Sequence, residues 1–173
     1  HRLDSYIAFV DSVAGKPKIW APHNADGYFS DEEVSLKSAF AMSLNSVAVR
    51  VGMECGVHNI AQTAYAMGIK TKLQETRSLV LGSSDVNLLE LVNGYCTVVN
   101  DGRYNMPLLV ERIEDREGNL IYNARRQEKK AIPYRSAYLM QRMLAGGLYG
   151  TSGGLWHYIR PFYADTEFGG KTG

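Results

Sequence analysis

The apolar positions of the chain change period several times. Over residues 1–33 they follow no helical spacing, and Gly15-Lys16-Pro17, Ala21-Pro22 and Asp26-Gly27 punctuate the stretch as turns. An irregular segment is expected there. From Val34 the spacing becomes helical: Phe40, Leu44, Val47 and Val51 fall on one face, as one helix or as two short ones with a break near Met42–Asn45. Gly52 and Gly56 weaken the far end of that pattern. Val57, Ile60, Ala61, Ala64 and Met67 form a second stripe, closed by Gly68 as a C′ residue. Leu88, Leu91, Val92, Tyr95 and Val99 form a third. Asn87 with Glu90 has the spacing of a capping box, and Asn100-Asp101-Gly102 ends the helix. The period then drops to two. Leu109, Glu111 and Ile113, the turn Glu117-Gly118-Asn119, and Leu120 to Tyr122 predict a β-hairpin. Pro133 opens a fourth helix carrying Ala137, Met140 and Leu144 and fading at Gly146-Gly147. Residues 150–170, rich in glycine and aromatics, read as a loop leading into a strand.

Composition alters this picture little. At 173 residues, 45% hydrophobic and 21% charged, the chain has enough apolar material for one core. Nineteen basic and eighteen acidic residues give a net charge of +1, which points to neither a nucleic-acid partner nor an anionic membrane surface. No apolar run approaches the ~18 residues that span a bilayer, and no signal peptide is visible. Cys55 and Cys96 lie in helical patterns and read as small buried thiols. Cys55 and His58 have a metal-like spacing but no second pair, and a zinc site needs three or four ligands. Arg125-Arg126 and Lys129-Lys130 read as a solvated turn after the hairpin.

Two short motifs carry candidate chemistry: Ser43-Leu44-Asn45 and Lys171-Thr172-Gly173. Serine acyltransferases acting on penicillins and D-Ala-D-Ala peptides combine Ser-x-x-Lys, Ser-x-Asn and Lys-Thr-Gly. In such a set, a serine needs a base for its proton, and a second hydroxyl can relay that proton to a leaving amine. A carboxamide holds the substrate amide, and a lysine and a threonine hydroxyl bind a carboxylate. A bare glycine lets a peptide lie against the strand. Ser-x-Asn alone arises by chance about once in two or three chains of this length, so it decides nothing by itself; Lys-Thr-Gly arises in only a few per cent. Their order and their separation of 128 residues make the combination more specific.

The flanking residues are more specific still. Trp20-Ala21-Pro22-His23-Asn24 resembles the W-x-P-x-N stretch of class A (bifunctional) penicillin-binding proteins. Val34-Ser35-Leu36-Lys37-Ser38-Ala39-Phe40, followed by Ser43-Leu44-Asn45-Ser46-Val47-Ala48-Val49, resembles that family's block around Ser-x-Asn. So do Leu81-Gly82 with Leu89-Glu90-Leu91, Gly94-Tyr95 and Asn100-Asp101-Gly102, the stretch Ile113-Glu114-Asp115-Arg116-Glu117-Gly118, Gly150-Thr151, and Gly169-Gly170-Lys171-Thr172-Gly173. From about Trp20 onward the chain resembles part of a transpeptidase domain of this family. No lysine has a serine three places before it, so Ser-x-x-Lys is absent. In the family it lies upstream of W-x-P-x-N, and the nucleophile and its lysine are therefore expected before His1. Residues 155–168, with Trp156, His157, Arg160, Phe162 and Tyr163, match no pattern of the family, and packing of that segment onto the body is favoured over lining a substrate groove.

The resemblance implies an α+β fold in which a helical subdomain meets a five-stranded antiparallel sheet. Residues 1–173 would form a partial domain, mostly helical, with one hairpin and the start of the Lys-Thr-Gly strand. It implies Ser43, Asn45 and Lys171 as catalytic residues, Ser43 relaying a proton and Asn45 positioning the substrate amide. Thr172 and Gly173 would bind substrate. Stem peptides ending in D-Ala-D-Ala and β-lactam antibiotics would be the partners, with no metal or organic cofactor and no nucleic acid. The parent protein would cross-link peptidoglycan on the outer face of the cytoplasmic membrane, through an anchor and a glycosyltransferase domain outside this chain. The chain alone, lacking a nucleophile, would be inactive. Two other readings stay open: a D,D-carboxypeptidase or β-lactamase, and a non-catalytic module that binds cell-wall peptide or a partner protein.

Overall fold

The computed structural model describes residues 1–13, 16–150, 160–162 and 166–171. Among them no helix is long and apolar enough to cross a membrane. The chain divides into two compact units, one of residues 1–60, 74–84 and 140–173, the other of residues 61–73 and 85–139.

The first unit is built on two consecutive helices, α1 (Leu36–Ala41) and α2 (Asn45–Cys55). Of the two arrangements open to the pattern, the broken one forms. Ser35 caps α1 by accepting from the Ser38 N–H, and α2 ends at Gly56, whose φ of 84° suits a residue without Cβ. Val47 and Val49 are buried on α2. Gly52 permits a close approach: a Cβ there would collide with the Val80 side chain of the 3₁₀ turn Arg77–Leu81. One face of α2 also grips the N-terminal segment at successive turns. Ser46 bonds Asp4, Arg50 bonds the Ser5 hydroxyl at 2.7 Å, and Glu54 pairs with Arg2. Strand β1 (Arg2–Leu3) pairs antiparallel with β4 (Glu33–Val34) beside it.

Part of the stretch expected to be irregular is strand, while residues 21–32 are irregular as expected. Strands β2 (Phe9–Val13) and β3 (Lys16–Trp20) form an antiparallel hairpin in which Phe9 faces Trp20. Their rings stack at 5.8 Å, Arg77 lies 5.0 Å over Phe9 and pairs with Asp11. Pro17 hid the strand in the sequence. A two-stranded ladder has only edges, however, and an edge tolerates a proline.

The second unit contains most of α3 (Val57–Ala66) and all of α4 (Leu88–Val99). Gly68, with φ of 110°, follows α3 as its C′ residue, and a Cβ there would meet Tyr104 and Asn93. Asn87 caps α4 by accepting from Leu89 N–H at 2.8 Å. The capping box is only half formed, because Glu90 turns to the Thr71 N–H and hydroxyl at 3.1 and 2.9 Å. The apolar stripe of α4 is not its buried face: Leu88 and Val99 are 74% and 72% exposed, whereas Asn93, Thr97 and Val98 are buried. Thr97 can be buried because its hydroxyl donates to carbonyls at Met67 and Asn93.

Strand β5 (Arg103–Asn105) pairs with β8 (Glu128–Lys130), so the basic run after the hairpin is partly strand, though exposed. The expected hairpin forms as β6 (Arg112–Glu114) and β7 (Leu120–Asn123), with a register shift at Ile113/Glu114. Helix α5 (Tyr134–Gly150) buries Ala137 and Leu144 and runs through Gly146-Gly147 rather than stopping there. The described residues thus form four two-stranded ladders where the sequence predicts one hairpin. Both cysteines are exposed and unpaired with each other, against the expectation of buried thiols.

Candidate functional site

Ser43 sits in the turn between α1 and α2. Its N–H donates to the Phe40 carbonyl at 3.1 Å and the Leu44 N–H to the Ala39 carbonyl at 3.0 Å. That pair of bonds is a Schellman motif with Ser43 at C′, the left-handed position usually given to glycine. Its φ is 58°. A side chain there costs about 1–2 kcal/mol, and such a cost is typical where a functional group must point in one direction.

Asn45 opens α2, and its Nδ2 donates to the His23 carbonyl at 2.8 Å. The N-cap residue Leu44 has no side chain able to cap. The missing cap comes from far along the chain: Asn24 Oδ1 accepts from the Ser46 N–H at 3.1 Å. Asn24 Nδ2 in turn donates to Asp4 Oδ1 at 2.9 Å and to the Tyr28 carbonyl at 2.9 Å. Ser46 Oγ donates to Asp4 Oδ1 at 2.6 Å, and the Ser30 N–H and hydroxyl both reach Asp4 Oδ2 at 3.0 Å. Asp4, Asn24 and Ser46 are all buried. Burial pushes the Asp4 carboxyl upward, but the hydrogen bonds from Ser46, Ser30 and Asn24 outweigh it and hold it below the ordinary value of 3.8. The carboxylate also lies at the N-terminus of α2, where the helix dipole favours negative charge.

Lys171 closes the site. Its Nζ donates to Ser43 Oγ at 2.6 Å, joining the two motifs across 128 residues. It lies 5.9 Å from the centre of the Phe40 ring. Burial pushes its ammonium below the ordinary lysine value of 10.5. Gly170 N–H is anchored to the Leu144 carbonyl at 3.1 Å, so the C-terminal half of α5 holds the segment that presents Lys171. With Ser43 Oγ accepting from lysine, the hydroxyl proton of Ser43 can point to another acceptor. The Asn45 oxygen likewise has no bond to another side chain or backbone group among the described residues, and can accept from a substrate amide.

Ser43, Asn45 and Lys171 therefore come together within the first unit. Thr172 and Gly173 lie outside the described residues, as does most of the segment 155–168. His58 Nδ1 is 3.0 Å from Glu75, and among the described residues no three metal-ligating side chains gather. The sequence reading found Asn24 only as a motif letter. Ser46 likewise appeared only as a letter of the block around Ser-x-Asn, and Asp4 was missed, because a lone acid carries no spacing signal.

The family model of the penicillin-binding protein transpeptidase domain matches residues 4–173. The chain belongs to that family. It is 30% identical over 134 residues to penicillin-binding protein 2D of Bacillus subtilis, covering 78% of this chain and 19% of that protein. It is 31% identical over 167 residues to penicillin-binding protein 1B of Haemophilus influenzae, covering 94% and 20%. The transpeptidase-family chain thus spans about a fifth of the length of these curated relatives. Among solved structures, penicillin-binding protein 1A from Haemophilus influenzae superposes with a TM-score of 0.79 at 20% identity, over 92% of this chain and 28% of that one. Penicillin-binding protein A from M. tuberculosis, solved as an imipenem acyl-enzyme complex, superposes with a TM-score of 0.64 at 21% identity, over 82% and 37%. The fold is that of penicillin-binding protein transpeptidases.

Proposed function

We propose that the chain is part of a peptidoglycan D,D-transpeptidase that works through a serine acyl-enzyme and is acylated by β-lactams. One observation carries the reading: the 2.6 Å bond from Lys171 Nζ to Ser43 Oγ, which assembles two motifs that neither local structure nor chance requires to meet. A serine outside residues 1–173, within a Ser-x-x-Lys motif, attacks the carbonyl of the penultimate D-Ala of one stem peptide. The bond to the terminal D-Ala breaks and an ester to the serine forms. Ser43 passes a proton to the departing D-Ala amine, Asn45 holds the substrate amide, and Lys171 with Thr172 binds the terminal carboxylate. An amine of a second stem peptide then displaces the serine, forming the cross-link. An anchor outside this chain holds the enzyme at the outer face of the cytoplasmic membrane.

The test is product analysis with the protein expressed from the complete gene. Incubated with a pentapeptide donor and an amine acceptor, it is expected to release D-Ala and form cross-linked dimer. Release of D-Ala with water as the sole acceptor would replace this reading with a carboxypeptidase.

A further inference from the structure

The N-terminus of α2 carries both Ser43 and Asn45 at its edge, yet its own N-cap, Leu44, supplies no capping group. What fixes this turn is the buried cluster of Asp4, Asn24 and Ser46. The cluster is internally complete. The two carboxylate oxygens of Asp4 receive four hydrogen bonds between 2.6 and 3.0 Å, from Ser46 Oγ, Asn24 Nδ2 and the Ser30 N–H and hydroxyl. The Asn24 amide spans from that carboxylate to the Ser46 N–H. The carbonyl next to Asn24 in the chain, that of His23, holds the Asn45 side chain. The same segment therefore fixes the first turn of the helix and the orientation of the motif asparagine. Arg50, one turn further along α2, grips Ser5 and Tyr6 and keeps Asp4 seated. Ser43, held at a φ of 58°, depends on both flanking helices being immobile.

We infer that Asp4 is a positioning residue of the transpeptidase site: acting through Ser46 and Asn24, it sets the first turn of α2, and with it Asn45 and Ser43, in reactive geometry. It touches no substrate. The inference rests on the transpeptidase reading above.

The test uses the protein expressed from the complete gene and measures its second-order rate of acylation by a fluorescent penicillin. The rate is taken per folded molecule, with the folded fraction titrated by prolonged exposure to the drug. Asp4→Ala and Ser46→Ala are each expected to slow acylation about tenfold or more, because small displacements of a positioned group are costly in rate. The double variant should be about as slow as Asp4→Ala alone, since the two residues act as one unit. Ser46→Thr, which restores the hydroxyl, should return to within about threefold of wild type. A wild-type rate per folded molecule in Ser46→Ala, even with a lowered melting temperature, would overturn the inference and leave the cluster a purely structural role. Should Asp4→Ala not fold, the Ser46 pair decides. A wild-type protein that takes no penicillin would remove the transpeptidase reading and this one together, whereas acylation unaffected by Ser46→Ala removes only this one.

Discussion

At the scale of single residues, the site trades stability for direction. Ser43 occupies a left-handed C′ position where glycine is at ease, and Lys171 donates to it from a partly buried place. Comparing Ser43→Gly with Ser43→Ala isolates the strain, since both lose the hydroxyl. The glycine variant should be the more stable by about 1 kcal/mol in urea unfolding. Equal stabilities would mean that the φ of 58° carries no strain. Lys171 offers a pH test. Its folded value lies below 10.5, and only the protonated form carries the positive charge that the proposed carboxylate contact needs. Acylation should therefore fall as pH rises through that lowered value, before an ordinary lysine would titrate. Lys171→Arg stays charged throughout and should lose this alkaline limb even if it is slower. Persistence of the limb in the arginine variant would assign it to another group. Asp4 works in the opposite sense. With its carboxyl held below 3.8, its contribution to stability is complete above the unfolded value of about 3.9 and is lost as pH falls through the lower folded value. Asp4→Asn should flatten the stability profile below about pH 4.

At the scale of elements, the sequence was most legible where local rules act alone. The end of α3 at Gly68 and the β6–β7 hairpin follow from short-range signals, while the break between α1 and α2 falls where the pattern left one helix or two open. The misses have long-range causes. The β2–β3 hairpin is held by Phe9–Trp20 stacking and by Arg77, which lies 57 residues beyond Trp20. Helix α4 buries the face carrying Asn93 and Thr97 because Thr97 finds carbonyl partners there, while its more apolar face is exposed. Periodicity identifies the helix but not the face that a polar group's partners will claim. The same holds for Glu90, which fits a capping box by spacing and instead serves Thr71. The Gly68 turn gives a check on packing. Gly68→Ala should cost at least about 1 kcal/mol, because φ is 110° and the added Cβ meets Tyr104 and Asn93. A neutral effect in thermal unfolding would contradict that close approach.

At the scale of the whole molecule, the candidate site was legible as letters but not as a constellation. Ser43, Asn45 and Lys171 were singled out from motif chemistry, and only folding shows that the segment anchored at Leu144 of α5 carries Lys171 onto Ser43. Asp4, 42 positions before Ser46, had no sequence signal, and Asn24 and Ser46 were legible only as motif letters, not as its partners. The chain contains the hydroxyl of Ser43, the carboxamide of Asn45 and the cation of Lys171, but no Ser-x-x-Lys in its 173 residues. The central claim is that these groups assist a nucleophile that residues 1–173 do not contain. The most direct measurement is peptide mapping by mass spectrometry of the protein expressed from the complete gene after exposure to penicillin. The account predicts a single adduct on a serine of a Ser-x-x-Lys motif outside residues 1–173, with Ser43 unmodified. An adduct on Ser43, or on any other residue of this chain, would contradict it.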